Sequence, residues 1–200
     1  MWSMSATHTG HLILLMAPSG SGKKKMLESI EHLTDHIYFA KTYTSRAPRT
    51  GTEENPKYHF VSRDEFETLI ETDALIEWAE FSGNYYGTPK AEFTEPLVKG
   101  RVVMKEMELQ GVQQIRQLIS PEQCTVIYVD AGSWEDLKGR ILARAPMDAE
   151  HLAMRKERYD EESKFMPEAD VVIENHNGKL EAAQEHFSRV VEDIVNEYSR

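Results

Sequence analysis

The run Leu12-Ile13-Leu14-Leu15-Met16 is apolar at every position and gives way at once to Ala17-Pro18-Ser19-Gly20-Ser21-Gly22-Lys23. An apolar run without alternation reads as a strand buried on both faces, and such strands belong to parallel sheets covered by helices on each side. The Pro, Ser and Gly that follow are turn residues, and the pattern predicts a helix from about Lys23 to Leu33. This opening βα unit aims several backbone N–H groups at one point, where the helix N-terminus adds partial positive charge; a phosphate fits there. The spacing approximates GxxxxGK[ST], with Lys23 expected to reach the β and γ phosphates. Three positions depart from the usual pattern. Ala17 stands where the first glycine belongs, and an alanine held at positive φ would be strained. Lys24 and Lys25 stand where a small residue and a hydroxyl usually follow, and an ammonium cannot ligate Mg²⁺. Taken alone, the loop also fits a plain Ser/Gly turn before a solvated, Lys-rich helix start.

The rest of the chain sets that unit in an alternating series. Ile37 to Thr44 is strand-like, and Tyr58 to Val61 is a short strand ending at Ser62. Ser62 with Glu65 forms a capping box for a helix carrying Phe66, Leu69 and Ile70. Leu75 to Phe81 reads as extended, and Asn84-Tyr85-Tyr86-Gly87 as a turn into another extended segment. These short elements between residues 42 and 90 predict an inserted, mostly antiparallel subdomain. The alternation then resumes: strand Val102 to Met107, helix Gly111 to Leu118, strand Thr125 to Asp130, and a helix from Ser133 whose Asp136 completes a second capping box. A charged helix over about Asp148 to Lys164, a strand Val171 to Ile173, and a last helix with Ala183, Phe187, Val190, Val191 and Ile194 on one stripe follow. The predicted class is α/β, a parallel sheet flanked by helices with two peripheral insertions.

At 200 residues, one sizeable core with small appended subdomains is the expected organisation. Lys and Arg number 23 against 34 Asp and Glu, a net charge of −11, which argues against a nucleic-acid groove or an anionic membrane as the main partner. Small anions then need local basic pockets. Cys124 is the only cysteine, so no intramolecular disulfide forms, and a reducing, cytoplasmic compartment is expected. The longest early apolar run is far short of a membrane span.

Further segments carry a resemblance. Thr42-Tyr43-Thr44-Ser45-Arg46-Ala47-Pro48-Arg49, Tyr58-His59-Phe60-Val61-Ser62, Glu77 to Thr88 and Glu106-Met107-Glu108-Leu109-Gln110-Gly111 resemble, in this order and at compatible spacings, segments of the guanylate kinase family, from about Gly10 to Val195. The resemblance implies a P-loop NTPase fold with a tail over 1–9, a core over 10–40, 97–140 and 168–195, a subdomain binding the nucleoside monophosphate over 41–96, and a helical lid over 141–167. It implies Mg²⁺-dependent transfer of the ATP γ-phosphoryl to GMP, in purine nucleotide metabolism, by a monomer or homodimer.

Under that resemblance ATP lies on Ala17, Pro18, Ser19, Gly20, Ser21, Gly22, Lys23 and Lys24. Asn175 would contact the adenine, although a turn asparagine before Gly178 is an equally simple reading. Arg46 and Arg49 would clamp the GMP phosphate with the hydroxyls of Tyr58 and Tyr86, because guanidinium forks bind a phosphate in bidentate fashion. Glu77 offers two oxygens to the N1–H and N2–H₂ donors of guanine, a pair adenine lacks, and Thr42 and Thr88 would assist. Glu106 and Glu108, two apart at a strand end, project the same way toward the crevice; one would orient waters around Mg²⁺ and the other face the base, with Glu108 the candidate for the metal. Lys23, Arg140, Arg144 and the lid residue Arg155 would neutralise charge on the transferred phosphoryl. The altered phosphate loop keeps open a catalytically weakened binding module of the same fold, and a kinase of another phosphorylated small molecule is a third, weaker reading.

Overall fold

The computed structural model describes residues 9–48, 57–81 and 83–198. In chain order the elements are β1 (His11–Met16), α1 (Lys23–Ser29), β2 (Ile37–Phe39), β3 (Thr42–Thr44), β4 (Tyr58–Phe60), α2 (Arg63–Glu71), β5 (Leu75–Phe81), β6 (Asn84–Pro89), α3 (Ala91–Val98), β7 (Val102–Glu106), α4 (Leu109–Arg116), β8 (Cys124–Asp130), α5 (Trp134–Arg144), α6 (Ala149–Phe165), β9 (Val171–Glu174) and α7 (Leu180–Tyr198).

β1 is buried along its whole length. It pairs in parallel with β7 on one side and β8 on the other, in a five-stranded sheet ordered β2-β7-β1-β8-β9. Alternation along β1 then feeds two cores. Leu12, Leu14 and Met16 pack with Val103, Val126, Phe93 and Leu97 of α3, and Val112 and Ile115 of α4. Ile13, Leu15 and Ala17 pack with Met26 of α1, Ile30 after it, and Ala183, Phe187, Val191 and Val195 of α7. Helices therefore cover both faces, as the unbroken apolar run requires. Because α1 and α4 lie on opposite faces, a crevice opens beyond the C-terminal ends of β1 and β7, where open α/β sheets bind ligands.

A second sheet, ordered β4-β3-β6-β5, lies between β2 and α3 in sequence. Its β3–β6 and β5–β6 pairs are antiparallel, as expected, while β3 and β4 run parallel. The single strand expected over Ile37 to Thr44 is two strands in two sheets, because the chain crosses between them at Ala40 and Lys41. The first helix ends at Ser29, and residues 31–33 continue as a 3₁₀ turn.

The Ser62–Glu65 capping box is complete on α2. At α5 only half the device forms. Ser133 accepts from the Asp136 N–H, but the Asp136 carboxylate takes the Ser133 hydroxyl and the Asn177 amide instead. Aspartate is a methylene shorter than the glutamate of a full box, so it binds the near hydroxyl rather than reaching back to the capping N–H. Among the described residues no helix is long and apolar enough to cross a membrane.

His11, at the start of β1, is 4% exposed. Its Nε2 lies 2.8 Å from Thr125 Oγ1, and its Nδ1 has no partner among the described residues. Burial pushes the imidazole down to about 4, against a smaller upward pull from Asp170. The unfolded chain therefore takes up this proton first, and stability present at neutral pH is lost as pH falls from about 6.5 toward 4. We expect the protein to lose roughly 2 kcal/mol more between pH 7 and pH 5 than a His11→Gln variant, measured by urea unfolding at both values.

Candidate active site

The loop between β1 and α1 is shaped by glycines at two positions. Gly20 and Gly22 have φ of 94° and 98°, and the only non-glycine residue at positive φ among the described residues is Asp73. Ala17 is thus in an ordinary conformation, and the strain expected from replacing glycine there does not arise. Gly22 caps α1 in the left-handed region, and a Cβ on it would stand 2.4 Å from the Asn175 amide nitrogen. That amide, itself buried, donates to the Ser21 carbonyl at 2.7 Å. Asn175 therefore holds the loop from beneath. Lys23 curls back to donate to the Ala17 carbonyl at 3.1 Å, leaving an ammonium at the mouth of the loop.

Other cations reach this region unequally. Arg155 of α6 donates to the Ser19 hydroxyl, which brings the helix expected as a lid onto the loop. Arg140 donates to the Asn175 carbonyl and the Asn177 side chain, so it braces the turn after β9. Arg144 is exposed at the end of α5. Lys24 and Lys25 turn away to Glu28, at 3.6 and 2.8 Å.

The second group of expected residues comes together through strand register. Thr42 partners Tyr58, Thr44 partners Tyr86, and Glu77 partners Thr88. Partners share a face and strands alternate, so Thr42, Tyr58, Tyr86, Thr88 and Glu77 lie on one face of the smaller sheet. Thr88 donates its hydroxyl proton to a Glu77 oxygen at 2.7 Å, which orients the half-buried carboxylate. The Arg46 guanidinium sits 5.9 Å from the Tyr58 ring and 5.5 Å from the Phe60 ring, and the Tyr58 and Tyr86 rings meet edge on at 6.4 Å. Arg49 falls outside the described residues.

Glu106, the last residue of β7, and Glu108, just after it, differ in their partners. Glu106 binds Lys57 at 2.5 Å. Glu108 is 80% exposed and stands 4.0 Å from Arg158. Among the described residues no cluster of three or more His, Cys, Asp or Glu could hold a metal by itself. Magnesium keeps several waters and takes one or two carboxylates plus substrate phosphates. An exposed Glu108 beside a phosphate loop fits an ion brought in with the nucleotide, and the residues at 24 and 25 do not fit direct ligation.

Two further residues matter that the sequence does not single out. Glu162 of α6 is half-buried; desolvation pushes its carboxyl up against the downward pull of Lys23. Lys105 is 6% exposed in β7 and donates to the Thr42 hydroxyl at 2.8 Å and the Ala40 carbonyl at 3.2 Å. Burial pushes its ammonium down to about 8, partly offset by Glu77, Glu92 and Glu106. The only signal is a lysine in an otherwise apolar strand, Val102-Val103-Met104-Lys105, which passes for a strand end.

An all-parallel sheet ordered β2-β7-β1-β8-β9, with a phosphate loop at the end of its central strand, defines a nucleotide-binding protein of the P-loop NTPase fold. Residues 9–194 match the family model described as guanylate kinase. The guanylate kinase of Trichormus variabilis is 38% identical over 167 residues, covering 84% of this chain and 83% of the relative. That of Lactococcus lactis is 33% identical over 183 residues, covering 92% and 87%. The crystal structure of guanylate kinase from Anaplasma phagocytophilum superposes with a TM-score of 0.64 at 26% identity, covering 93% of this chain and 86% of that one. The chain belongs to the guanylate kinase family.

Removing the Asn175 amide strands the buried Ser21 carbonyl. We expect Asn175→Ala to lower stability by about 1–3 kcal/mol in denaturant unfolding and to weaken ATP binding in calorimetry through a loosened loop.

Proposed function

We propose that the chain catalyses transfer of the ATP γ-phosphoryl to GMP, giving ADP and GDP. A phosphate oxygen of GMP attacks the γ-phosphorus, and the bond from that phosphorus to the β–γ bridging oxygen breaks as ADP leaves. Such chemistry asks the protein for alignment and charge neutralisation. The observation that carries the reading is the Glu77 carboxylate, oriented by Thr88 on the same sheet face as Tyr58 and Tyr86. Its two oxygens match the N1–H and N2–H₂ edge of guanine.

In this reading the loop from Ala17 to Lys23 cradles the ATP phosphates with its backbone N–H groups, and Lys23 leaves Ala17 for the β and γ oxygens. Arg46, with Tyr58, Tyr86 and Arg49, binds the GMP phosphate. Arg144 and Arg155 address the transferred phosphoryl, and α6 excludes water as it closes. Arg140 acts by fixing the turn that carries Asn175. Glu108 would hold Mg²⁺ through water, and the ion would supply neutralisation of the phosphate charge. Lys24, paired with Glu28, would have to leave that carboxylate to meet the nucleotide. A soluble cytoplasmic enzyme of purine nucleotide metabolism, working as a monomer or homodimer, completes the reading.

The change of hydroxyl to lysine after Lys23 favours the second reading, a module that binds GMP with weakened catalysis. A coupled ADP-release assay with GMP, AMP and UMP separates the two. We expect turnover with GMP well above the others and a raised KM for ATP; GMP binding in calorimetry without turnover would establish the module instead. In the same assay Glu77→Gln should raise the KM for GMP at least about tenfold, the worth of a hydrogen bond to a charged group, and narrow the gap between GMP and AMP.

A further inference from the structure

The buried ammonium of Lys105 stands behind the face that carries Glu77, and the role inferred for it rests on the reading of that face as a base site. Two of its three protons are placed, on Thr42 Oγ1 at 2.8 Å and on the Ala40 carbonyl at 3.2 Å. A hydroxyl that accepts from an ammonium keeps its own proton for another acceptor. Thr42 is thereby fixed as a donor on its face of the sheet. Thr88, itself fully buried, spends its proton on Glu77 at 2.7 Å and so fixes that carboxylate as an acceptor. The face thus carries an acceptor side, Glu77 with Thr88, and a donor side, Thr42 backed by a positive charge.

A purine with a 6-oxo group complements both sides at once: N1–H and a 2-amino group donate, and O6 and N7 accept. A 6-amino purine meets the donor side with a donor. We propose that Lys105 is a specificity-determining positioning residue, acting through Thr42 to present a hydrogen-bond donor to the 6-oxygen of the bound purine monophosphate. The charged groups around the ammonium agree with this. Glu77 from β5, Glu92 from α3 and neighbouring Glu106 hold it cationic, while Lys57 opposes them. Glu106 is itself bound to Lys57 and Glu92 accepts from Tyr38 and the Lys41 N–H, so neither takes Lys105 away from Thr42.

The test compares GMP with 6-thio-GMP, which keeps N1–H and the 2-amino group and replaces the 6-oxygen with a poorer acceptor. Lys105→Met fills the same space without charge. For this variant we expect the KM for GMP to rise about tenfold or more, a smaller rise for 6-thio-GMP so that the preference for oxygen collapses toward parity, and an unchanged KM for ATP. Calorimetric binding of both nucleotides without ATP should follow the same pattern. Equal losses for the two nucleotides, a parallel rise in the KM for ATP, or an unchanged KM for GMP would each overturn the role. Thr42→Val removes the hydroxyl and leaves the ammonium in place on the Ala40 carbonyl, and it should abolish the same preference even where Lys105→Met fails to fold; a retained preference overturns the proposal. Wild-type protein that turns over GMP while both variants keep the oxygen preference refutes Lys105 alone, whereas wild-type protein that neither binds nor turns over GMP refutes the base site itself.

Discussion

Burial of β1 on both faces determines where everything else can go. A strand with apolar side chains up and down needs backbone partners on each edge and helices on each face, and it obtains them from β7 and β8, α1 and α7, α3 and α4. Once α1 leaves on one face and α4 on the other, the loop after Met16 stands alone at the end of the sheet, with the Ser21 N–H closed onto the Pro18 carbonyl. Such a loop is kept in shape only if its inward groups are satisfied. The Ser21 carbonyl meets Asn175, which hangs from β9 at the sheet edge, and Arg140 holds Asn175 in turn. The phosphate loop is thus built by the far edge of the sheet as much as by its own glycines.

The smaller sheet follows a different logic. Its strands are too short to make a core alone, so one face packs on α2 through Phe66 and Tyr85, whose rings stack at 5.2 Å, and the other remains polar. On that polar face hydroxyls do not merely add hydrogen bonds. Each is committed by a charged neighbour to give or to receive, Thr88 by a carboxylate and Thr42 by an ammonium. A pocket whose rotors are committed ahead of the ligand discriminates by polarity, because a mismatched base leaves buried groups unpaired.

Segments with strong local patterns are legible in the sequence. The β1 run, the Ser62 cap, the helical stripe from Ala183 to Ile194 and the extended segment bearing Glu77 lie where their periodicity puts them, whereas Asn84 to Gly87, expected as a turn, is already strand β6. The sequence misleads wherever the deciding partner is distant along the chain. Ile37 to Thr44 looks continuous because nothing local says that Ala40 pairs with Met104 while Thr42 belongs to another sheet. Lys24 and Lys25 look like charge for the crevice, but Glu28, one turn along, is nearer. Lys105 does not stand out because its meaning depends on Ala40 and Thr42, more than sixty residues earlier. The net charge of −11 describes the exterior and says nothing of a cation placed inside.

That cation also bears on how the two sheets are joined. The crossing at Ala40, Lys41 and Thr42 is held from the core sheet by Lys105 and from α3 by Glu92, which accepts the Lys41 N–H at 2.7 Å and the Tyr38 hydroxyl at 2.9 Å. Breaking either set would strip a buried charged group of hydrogen bonds worth about 1.5–3 kcal/mol, a sizeable share of a domain's net stability. The strand end that carries Thr42 is therefore tied to β7 and moves with it, while the opposite end of the smaller sheet, at β5 and the Gly83 turn, carries no such buried-charge anchor among the described residues. Rotation of the smaller sheet about the anchored crossing would carry Thr42, Thr88 and Glu77 together, because all three lie on paired strands of that sheet, so the polarity of the proposed base face stays fixed while its distance from the loop after β1 changes.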